Sequence, residues 1–465
     1  MMGTPSSDVP KAPTQKPVFL EDMTEEQRAK QKGVIPAGLQ NLGNTCYMNS
    51  TLQTLRFVPE LQEELTKYMA QQVPPASSLM ASMGLGQEVD LTAALRDLYK
   101  QLGSTLTGFP PITFLRTLRT AFPQFAQTSR DGRFEQQDAE ECWSQIVTQL
   151  RLSLKKPNSG DDTTASISFV DRYFAGKTKS ILKCTEDTPD EPTTESEDSF
   201  LKLDCHISDS TNFMSKGILD SLTEEIVKHS PSLDRDATYK KITRVTRLPK
   251  YLTVSYGGSY HPFKNNANVI PQCHFVRFYW KRDINKKNKI MRKVTFPLEL
   301  DATAFCGDEL GSKLIPVRDK IRNLRKDALD RERADKRAKR SKHDTEDSKK
   351  AANRAENSTI SSALAQLEAE QEVVANALLN SEVPDWGKEV AGLVDPDMAN
   401  DEGQNITGLY ELLGVITHKG PSADSGHYCS YVKKKGGDGK TWFFFDDDKV
   451  SEVPEEKIEG LAGGG

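Results

Sequence analysis

An α+β fold is expected of this chain on three observations. Apolar residues recur at helical spacing in its first third, most cleanly as Leu91, Leu95, Leu98 and Leu102. Between residues 165 and 300, and again from Leu409 to Val450, that pattern gives way to short β-branched and aromatic runs broken by polar turns. With 465 residues the chain can bury a sizeable core.

Composition narrows the class of protein. Hydrophobic residues make up 36% and charged residues 28%, a polar excess expected of a soluble protein with solvated or disordered parts. No apolar run reaches the roughly 18 residues of a membrane span, so no membrane partner is expected. The N-terminus lacks the apolar stretch of a secretion signal. Seven scattered cysteines do not suggest a disulfide framework, and a reducing intracellular setting fits them. A net charge of −5 argues against bulk attraction to nucleic acid.

Taken in order, residues 1–36 are rich in proline, serine and charge and read as a flexible lead-in. Gly38 to Leu55 is a polar, glycine-bearing turn followed by a helix with Met48, Leu52 and Leu55 at i, i+4 and i+7. After VPELQEELTKYM (58–69) comes a Ser/Gly/Met-rich loop, then the helix LTAALRDLYKQL (91–102). The segment 134–150 sets Ala139, Cys142, Trp143, Ile146, Val147 and Leu150 on one helical stripe, and Asp138 with Glu141 three residues on marks its start. SISFVDRYFAG, KSILKCTED, FLKLDCHIS, RVTRLPKYLTV, FVRFYWKRD and MRKVTFPLELD read as strands. Residues 255–273 between two of these have turn composition. Residues 318–356 are crowded with charge, and Ile360 to Leu379 has helical spacing, so a solvated helical or disordered insertion over 312–403 is expected, with a short coiled coil within it. KRAKRSK (336–342) is a basic patch, but interspersed acids favour a solvated face over nucleic-acid binding. Finally, a strand ends near His418, a Ser/Gly-rich loop spans 420–425, and His427 opens a strand running to Lys435; GGDG turns it into TWFFFD.

Chemistry concentrates at two places. Cys46 stands at a helix N-terminus, where unpaired backbone N–H groups favour thiolate, so a lowered thiol pKa is expected. Asn41 is a plausible oxyanion donor. Read blandly, Cys46 is a small buried hydrophobe. In the C-terminal hairpin, Gly436 and Gly437 as the turn pair set Asp446 opposite His427, a base with a carboxylate to orient it. That count puts Asp448 on the same face and turns Asp447 away. His418 is the rival base. Asp138 and Glu141 read either as helix cap and first-turn charge or as acceptors for a cationic ligand.

GLQNLGNTCYMNS, QQDAEE and SGHYCSYV resemble the cysteine box, second motif and histidine box of the ubiquitin-specific proteases. The resemblance implies a papain-like fold of helical thumb, β palm and β fingers over residues 37–465. It implies Cys46 as nucleophile, Asn41 at the oxyanion, His427 as base and Asp446 as its orienter, acting without a cofactor. Asp138, Glu141 and Tyr428 would meet the tail of ubiquitin. The fingers of many relatives hold zinc on two CxxC pairs; this chain has only Cys184, Cys205 and His206 in that region and no CxxC, so no metal is expected. PVFLEDMTEEQ (17–27) is similar to the segment that follows the ubiquitin-like domain of the proteasome-associated member, whose domain this chain would lack. By the same likeness Val254 should run almost directly into His274, making 255–273 a lineage-specific loop or a translated intron. The loop 420–425 should block the cleft, and one more core strand should follow the terminal glycines, its loss lowering stability. The expected activity is thiol-dependent cleavage after the C-terminal glycine of ubiquitin, linked to the 26S proteasome, in cytoplasm and nucleus. A ubiquitin-binding scaffold without turnover is the alternative, and a coiled-coil nucleic-acid adaptor is weaker.

Overall fold

The computed structural model describes residues 35–69, 89–155, 167–186, 193–208, 210–257, 273–275, 278–281, 286–289, 292–353, 389–422, 425–435 and 439–462. It divides into two compact units, one drawn from residues 1–307, 402–405 and 409–465, the other from 308–401 and 406–408.

The first unit begins with helices. Cys46–Leu55 (α1) is buried along its whole length, although half of its residues are polar. Several of its side-chain donors find partners: Thr51 and Thr54 hydroxyls donate to the carbonyls four residues back, at 2.8 and 2.7 Å. Asn49 and Gln53 amides donate to the carbonyls of Leu39 and Ala37. That pairing offsets part of the cost of a polar helix in a core, although the Tyr47 hydroxyl and the Asn49 and Gln53 side-chain oxygens have no partner among the described residues. Around it lie Pro59–Lys67 (α2), Leu91–Ser104 (α3), Ile112–Ala121 (α4) and Ala139–Ser153 (α5). The expected stripes are buried: Leu91, Leu95, Leu98 and Leu102 on α3, and Ala139, Cys142, Trp143, Ile146, Val147 and Leu150 on α5. Asp90 and Asp138 cap these two helices by accepting from Ala93 N and Glu140 N.

SISFVDRYFAG departs from its strand reading. Ser168 accepts from the amides of Val170 and Asp171, at 3.1 and 3.3 Å, and opens the short helix Phe169–Tyr173 (α6). A local cap here outweighs the β propensity of Ile, Phe and Val. Gly176–Cys184 (β1) follows, then Thr194–Phe200 (β2), Leu203–His206 (β3), the helix Met214–Ser221 (α7), Thr223–Ser230 (β4) and Arg235–Arg247 (β5). β2-β1-β5-β4 make an antiparallel four-stranded sheet. Val254–Gly257 (β6), Cys273–Phe275 (β7), Phe278–Lys281 (β8), Lys286–Lys289 (β9) and Glu299–Asp301 (β10) come next. β6 and β7 pair side by side, Ser255 with His274, where the family likeness suggested one continuous strand. Most of the intervening stretch, 258–272, lies outside the described residues.

In the second unit, Asp308–Asn353 (α8) carries Pro316 inside it and buries Leu310, Leu314, Val317 and Ile321 along one stripe. The short helix Pro396–Ala399 (α9) begins at Asp395, which pairs with Lys313 at 3.3 Å. The coiled-coil expectation over 360–379 and the lead-in up to residue 34 fall outside the described residues, and KRAKRSK lies within α8.

The first unit ends in Leu409–Glu411 (β11), which pairs with β10, then Gly414–Ser422 (β12), Ser425–Lys433 (β13), Thr441–Asp446 (β14), Lys449–Pro454 (β15) and the helix Glu455–Glu459 (α10). The order β15-β14-β13-β12-β7-β6-β3, with β8 and β9 attached, is the large sheet. Within the Ser/Gly-rich loop 420–425, expected to block the cleft, Ser422 pairs with Ser425, and Gly420 and Gly426 take φ of 140° and 139°, which L side chains rarely adopt. Ala423 and Asp424 lie outside the described residues. Among the described residues no helix is long and apolar enough to cross a membrane.

Candidate active site

Cys46 is the first residue of α1, preceded by a turn that needs left-handed backbone at Gly43 and Asn44, with φ of 96° and 55°. Its sulfur accepts the Tyr428 amide hydrogen at 3.4 Å. Since that nitrogen is bonded to the carbonyl carbon of His427, the thiol sits one peptide away from the histidine, though the two are separated by most of the chain. The thiol is 2% exposed. Burial pushes its pKa up to about 11, aided by the Asp447 charge, while amide hydrogens of Tyr428, Tyr47 and Cys46 itself pull the other way. The expectation of a lowered value is therefore corrected. Helix-terminal donors are present, but they are outweighed by the loss of water around the sulfur.

His427 Nε2 lies 2.5 Å from Asp446 Oδ1. The acid is the expected one, but the register is not. Ser430 pairs with Phe445 and Lys433 with Trp442, so one step further along the ladder Asp446 stands level with Cys429, a diagonal step from His427. The turn at 436–438 that the sequence count depended on lies outside the described residues. His418 is set apart from this group by strand alternation. It pairs with Tyr428, whereas His427 pairs with Lys419, and its ring is buried 4.7 Å from that of Tyr428.

Asp447 is the residue that sequence reasoning misplaced. β14 ends at Asp446, and Asp447 takes φ of 54°, which breaks the alternation assumed to turn its side chain away. Its carboxylate accepts from Asn41 Nδ2 at 2.9 Å and from Asn49 Nδ2 at 2.8 Å, and its carbonyl accepts the Leu39 amide at 3.0 Å. It also lies 3.8 Å from His427 Nε2. This side chain fastens the cysteine loop to the end of β14. Gly38 is the close approach that allows it, since a Cβ there would stand 2.6 Å from the Asp447 carbonyl oxygen. Asn41 completes the loop by accepting from the amides of Gly43 and Thr45 through Oδ1. With one amide hydrogen on Asp447, its other N–H has no partner among the described residues. An open hollow of about 390 Å³ lies here, lined by Gln40, Asn41, Asp446, Asp447, Asp448 and Lys449.

Asp138 and Glu141 sit in and beside the first turn of α5, next to α1: Thr51 Oγ1 reaches the Ala139 carbonyl at 3.3 Å. Glu140, not Glu141, holds a lysine, Lys202, at 3.0 Å. Tyr428, expected to meet the tail of ubiquitin, turns its side chain inward. Its ring is 1% exposed, because the strand alternation that turns His427 outward turns Tyr428 into the core, and what it offers the site is a backbone N–H. Cys184 and Cys205 belong to different sheets, the first on β1 and the second buried on β3 against the Met214 carbonyl.

A cysteine at a helix start, a histidine one peptide away and two carboxylates on that histidine form a thiol hydrolase constellation. Residues 37–462 match the family model of ubiquitin carboxyl-terminal hydrolase. The chain belongs to this family. Ubiquitin carboxyl-terminal hydrolase 6 of Schizosaccharomyces pombe is 42% identical over 472 residues, covering 100% of this chain and 82% of that protein. Ubiquitin carboxyl-terminal hydrolase 7 of Arabidopsis thaliana is 36% identical, again covering 100% and 82%. In fold, the hydrolase is similar to the SAGA Ubp8/Sgf11/Sus1/Sgf73 DUB module bound to ubiquitin aldehyde, with a TM-score of 0.50 and 18% identity over 94% of this chain and 72% of that one. The hydrolase is thus a ubiquitin-specific protease of the α+β fold expected from its sequence, a cysteine-type enzyme acting on ubiquitin.

Proposed function

We propose that this deubiquitinase hydrolyses the bond after the C-terminal glycine of ubiquitin, with Cys46 as nucleophile, His427 as base, Asp446 as the carboxylate that orients it and Asn41 at the oxyanion. The reading is carried by one observation: the sulfur accepts the Tyr428 amide hydrogen while the adjacent histidine bonds Asp446 at 2.5 Å. Asp446 on Nε2 leaves Nδ1 as the ring nitrogen that takes the thiol proton. The sulfur then attacks the carbonyl carbon, and the Cys46 amide with the second Asn41 N–H stabilises the oxygen that becomes charged. As the C–N bond breaks, His427 returns the proton to the leaving lysine amine. Water, deprotonated by His427, cleaves the thioester and regenerates the thiol.

A thiol held near 11 instead of its ordinary 9.0 adds about 3 kcal/mol to the cost of forming thiolate in the resting protein. In this reading ubiquitin binding lowers that cost by arming the thiol, so small thioester or amide substrates turn over more slowly than ubiquitin conjugates. Asp138 and Glu141, at the α5 start, are the acids that receive the basic tail of ubiquitin. The enzyme works with the 26S proteasome in cytoplasm and nucleus, needs no cofactor, and uses neither membrane nor nucleic acid.

The buried thiol also favours a second reading, a ubiquitin-binding scaffold without turnover. Ubiquitin bearing a thiol-reactive C-terminus separates the two. Covalent labelling abolished by Cys46→Ala supports the enzyme; tight binding without labelling supports the scaffold. Cleavage rates with and without added purified proteasomes test the proteasome link.

A further inference from the structure

One side chain in this site has no part in the proposed reaction. Cys429 lies two residues beyond His427 on β13, hence on the same face, and level with Asp446 on β14. It is buried, at the floor of the group, while His427 and Asp446 have 34% and 38% of their side chains exposed. The ligand atoms of His427, Cys429 and Asp446 all lie within 4.8 Å of one another.

We propose that His427, Cys429 and Asp446 form a binding site for a thiophilic divalent cation such as Zn2+, and that the bound cation holds the enzyme off reversibly. The donor set is one imidazole nitrogen, one sulfur and one carboxylate oxygen, the mixture that suits zinc and leaves the fourth tetrahedral position to water. With bonds of about 2.0 to 2.3 Å, tetrahedral ligand atoms stand roughly 3.3 to 3.7 Å apart. The three donor atoms, already within 4.8 Å of one another, adjust to that spacing as the imidazole and carboxylate open from their 2.5 Å contact, a change within the reach of side-chain rotation. The exposed edges of His427 and Asp446 admit the ion from solvent. A coordinating thiol is deprotonated, so the ion enters by displacing the Cys429 proton to solvent. Asp447, 3.8 Å from His427 Nε2, adds negative charge at the edge of the site. Once on the metal, the imidazole nitrogen and its orienting carboxylate are both spent as ligands, and Cys46 loses its base.

Binding itself is independent of the proposed reaction; only inhibition rests on it. The test therefore has two arms, both on the 465-residue chain. Cys46→Ser protein is titrated with Co2+ and followed by its thiolate-to-cobalt absorption. The band should appear, and should be lost when Cys429→Ala or Cys429→Ser is added. In the second arm, Zn2+ inhibition of ubiquitin C-terminal amide cleavage is measured for the parent and for each Cys429 variant, relative to its own metal-free rate. Half-inhibition should need at least about tenfold more Zn2+ in the variants. No band in Cys46→Ser, or equal zinc sensitivity of parent and Cys429 variants, overturns the proposal and puts the metal on the Cys46 sulfur.

Discussion

Asp447→Asn tests the link between the cysteine loop and the end of the sheet. The carboxylate accepts from Asn41 at 2.9 Å and Asn49 at 2.8 Å, and its side chain is only 10% exposed. Asparagine tolerates the left-handed backbone at this position and keeps the shape, but it offers one carbonyl oxygen and turns an NH2 group toward another donor. Losing one charge-assisted bond and burying a mismatched donor costs about 2 to 3 kcal/mol. At roughly 2 °C per kcal/mol for a chain of this size, Tm should fall by about 5 °C. Two opposite effects on function follow. The Asp447 charge raises the Cys46 pKa, so its removal should shift the pH midpoint of Cys46 alkylation downward. Turnover should nonetheless fall, by roughly tenfold or more, because Asn41 loses the partner that aims its amide. The assay is paired: iodoacetamide alkylation of Cys46 against pH, and cleavage of ubiquitin fused to a C-terminal fluorophore. Unchanged Tm together with an unchanged alkylation midpoint would refute the latch.

Gly38→Ala forces a Cβ to within 2.6 Å of the Asp447 carbonyl, so it should destabilise by about 1 to 3 kcal/mol and lower activity, read by thermal melting and turnover. Wild-type melting at neutral pH and no loss of activity would contradict the close approach. Trp143→Ala empties a fully buried site on α5 and should cost about 3 to 5 kcal/mol, measured by urea unfolding; a loss below about 1 kcal/mol would contradict the packing. Glu60 supplies a pH test away from the site. Burial pushes its carboxyl up, but hydrogen bonds from Lys250 at 2.7 Å and Tyr251 at 2.5 Å win, and the net shift is downward. A depressed folded value means its stabilisation is present above the ordinary carboxylate pKa and lost as pH falls through the folded one. Glu60→Gln should flatten the acid limb of Tm against pH; an identical limb in both proteins would exclude this contribution.

The helices were legible because each stripe is amphipathic with one buried face: Leu91 to Leu102 and Ala139 to Leu150 could be read residue by residue. The Cys46, His427 and Asp446 group was legible from motif and residue chemistry, and the structure brings the three together. What escaped was long-range or local competition. TESEDSF forms β2 with almost every side chain exposed, held by pairing to β1 and not by any pattern of its own. SISFVDRYFAG was captured by a serine cap. The hairpin register differs by two residues from the count, and Asp447 escaped because one left-handed residue cancels alternation. The thiol pKa depends on burial, which no local sequence reveals.

The fastening of Asn41 by Asp447 joins residues 406 apart in the chain. During synthesis, Cys46 leaves the ribosome hundreds of residues before its histidine and its latch exist. Under the mechanism proposed above, a nascent chain, however well its first helices have formed, holds Cys46 with no base beside it. Under that mechanism, pairing of β13 with β14 is the event that assembles the catalyst, so an unfinished chain would not cleave.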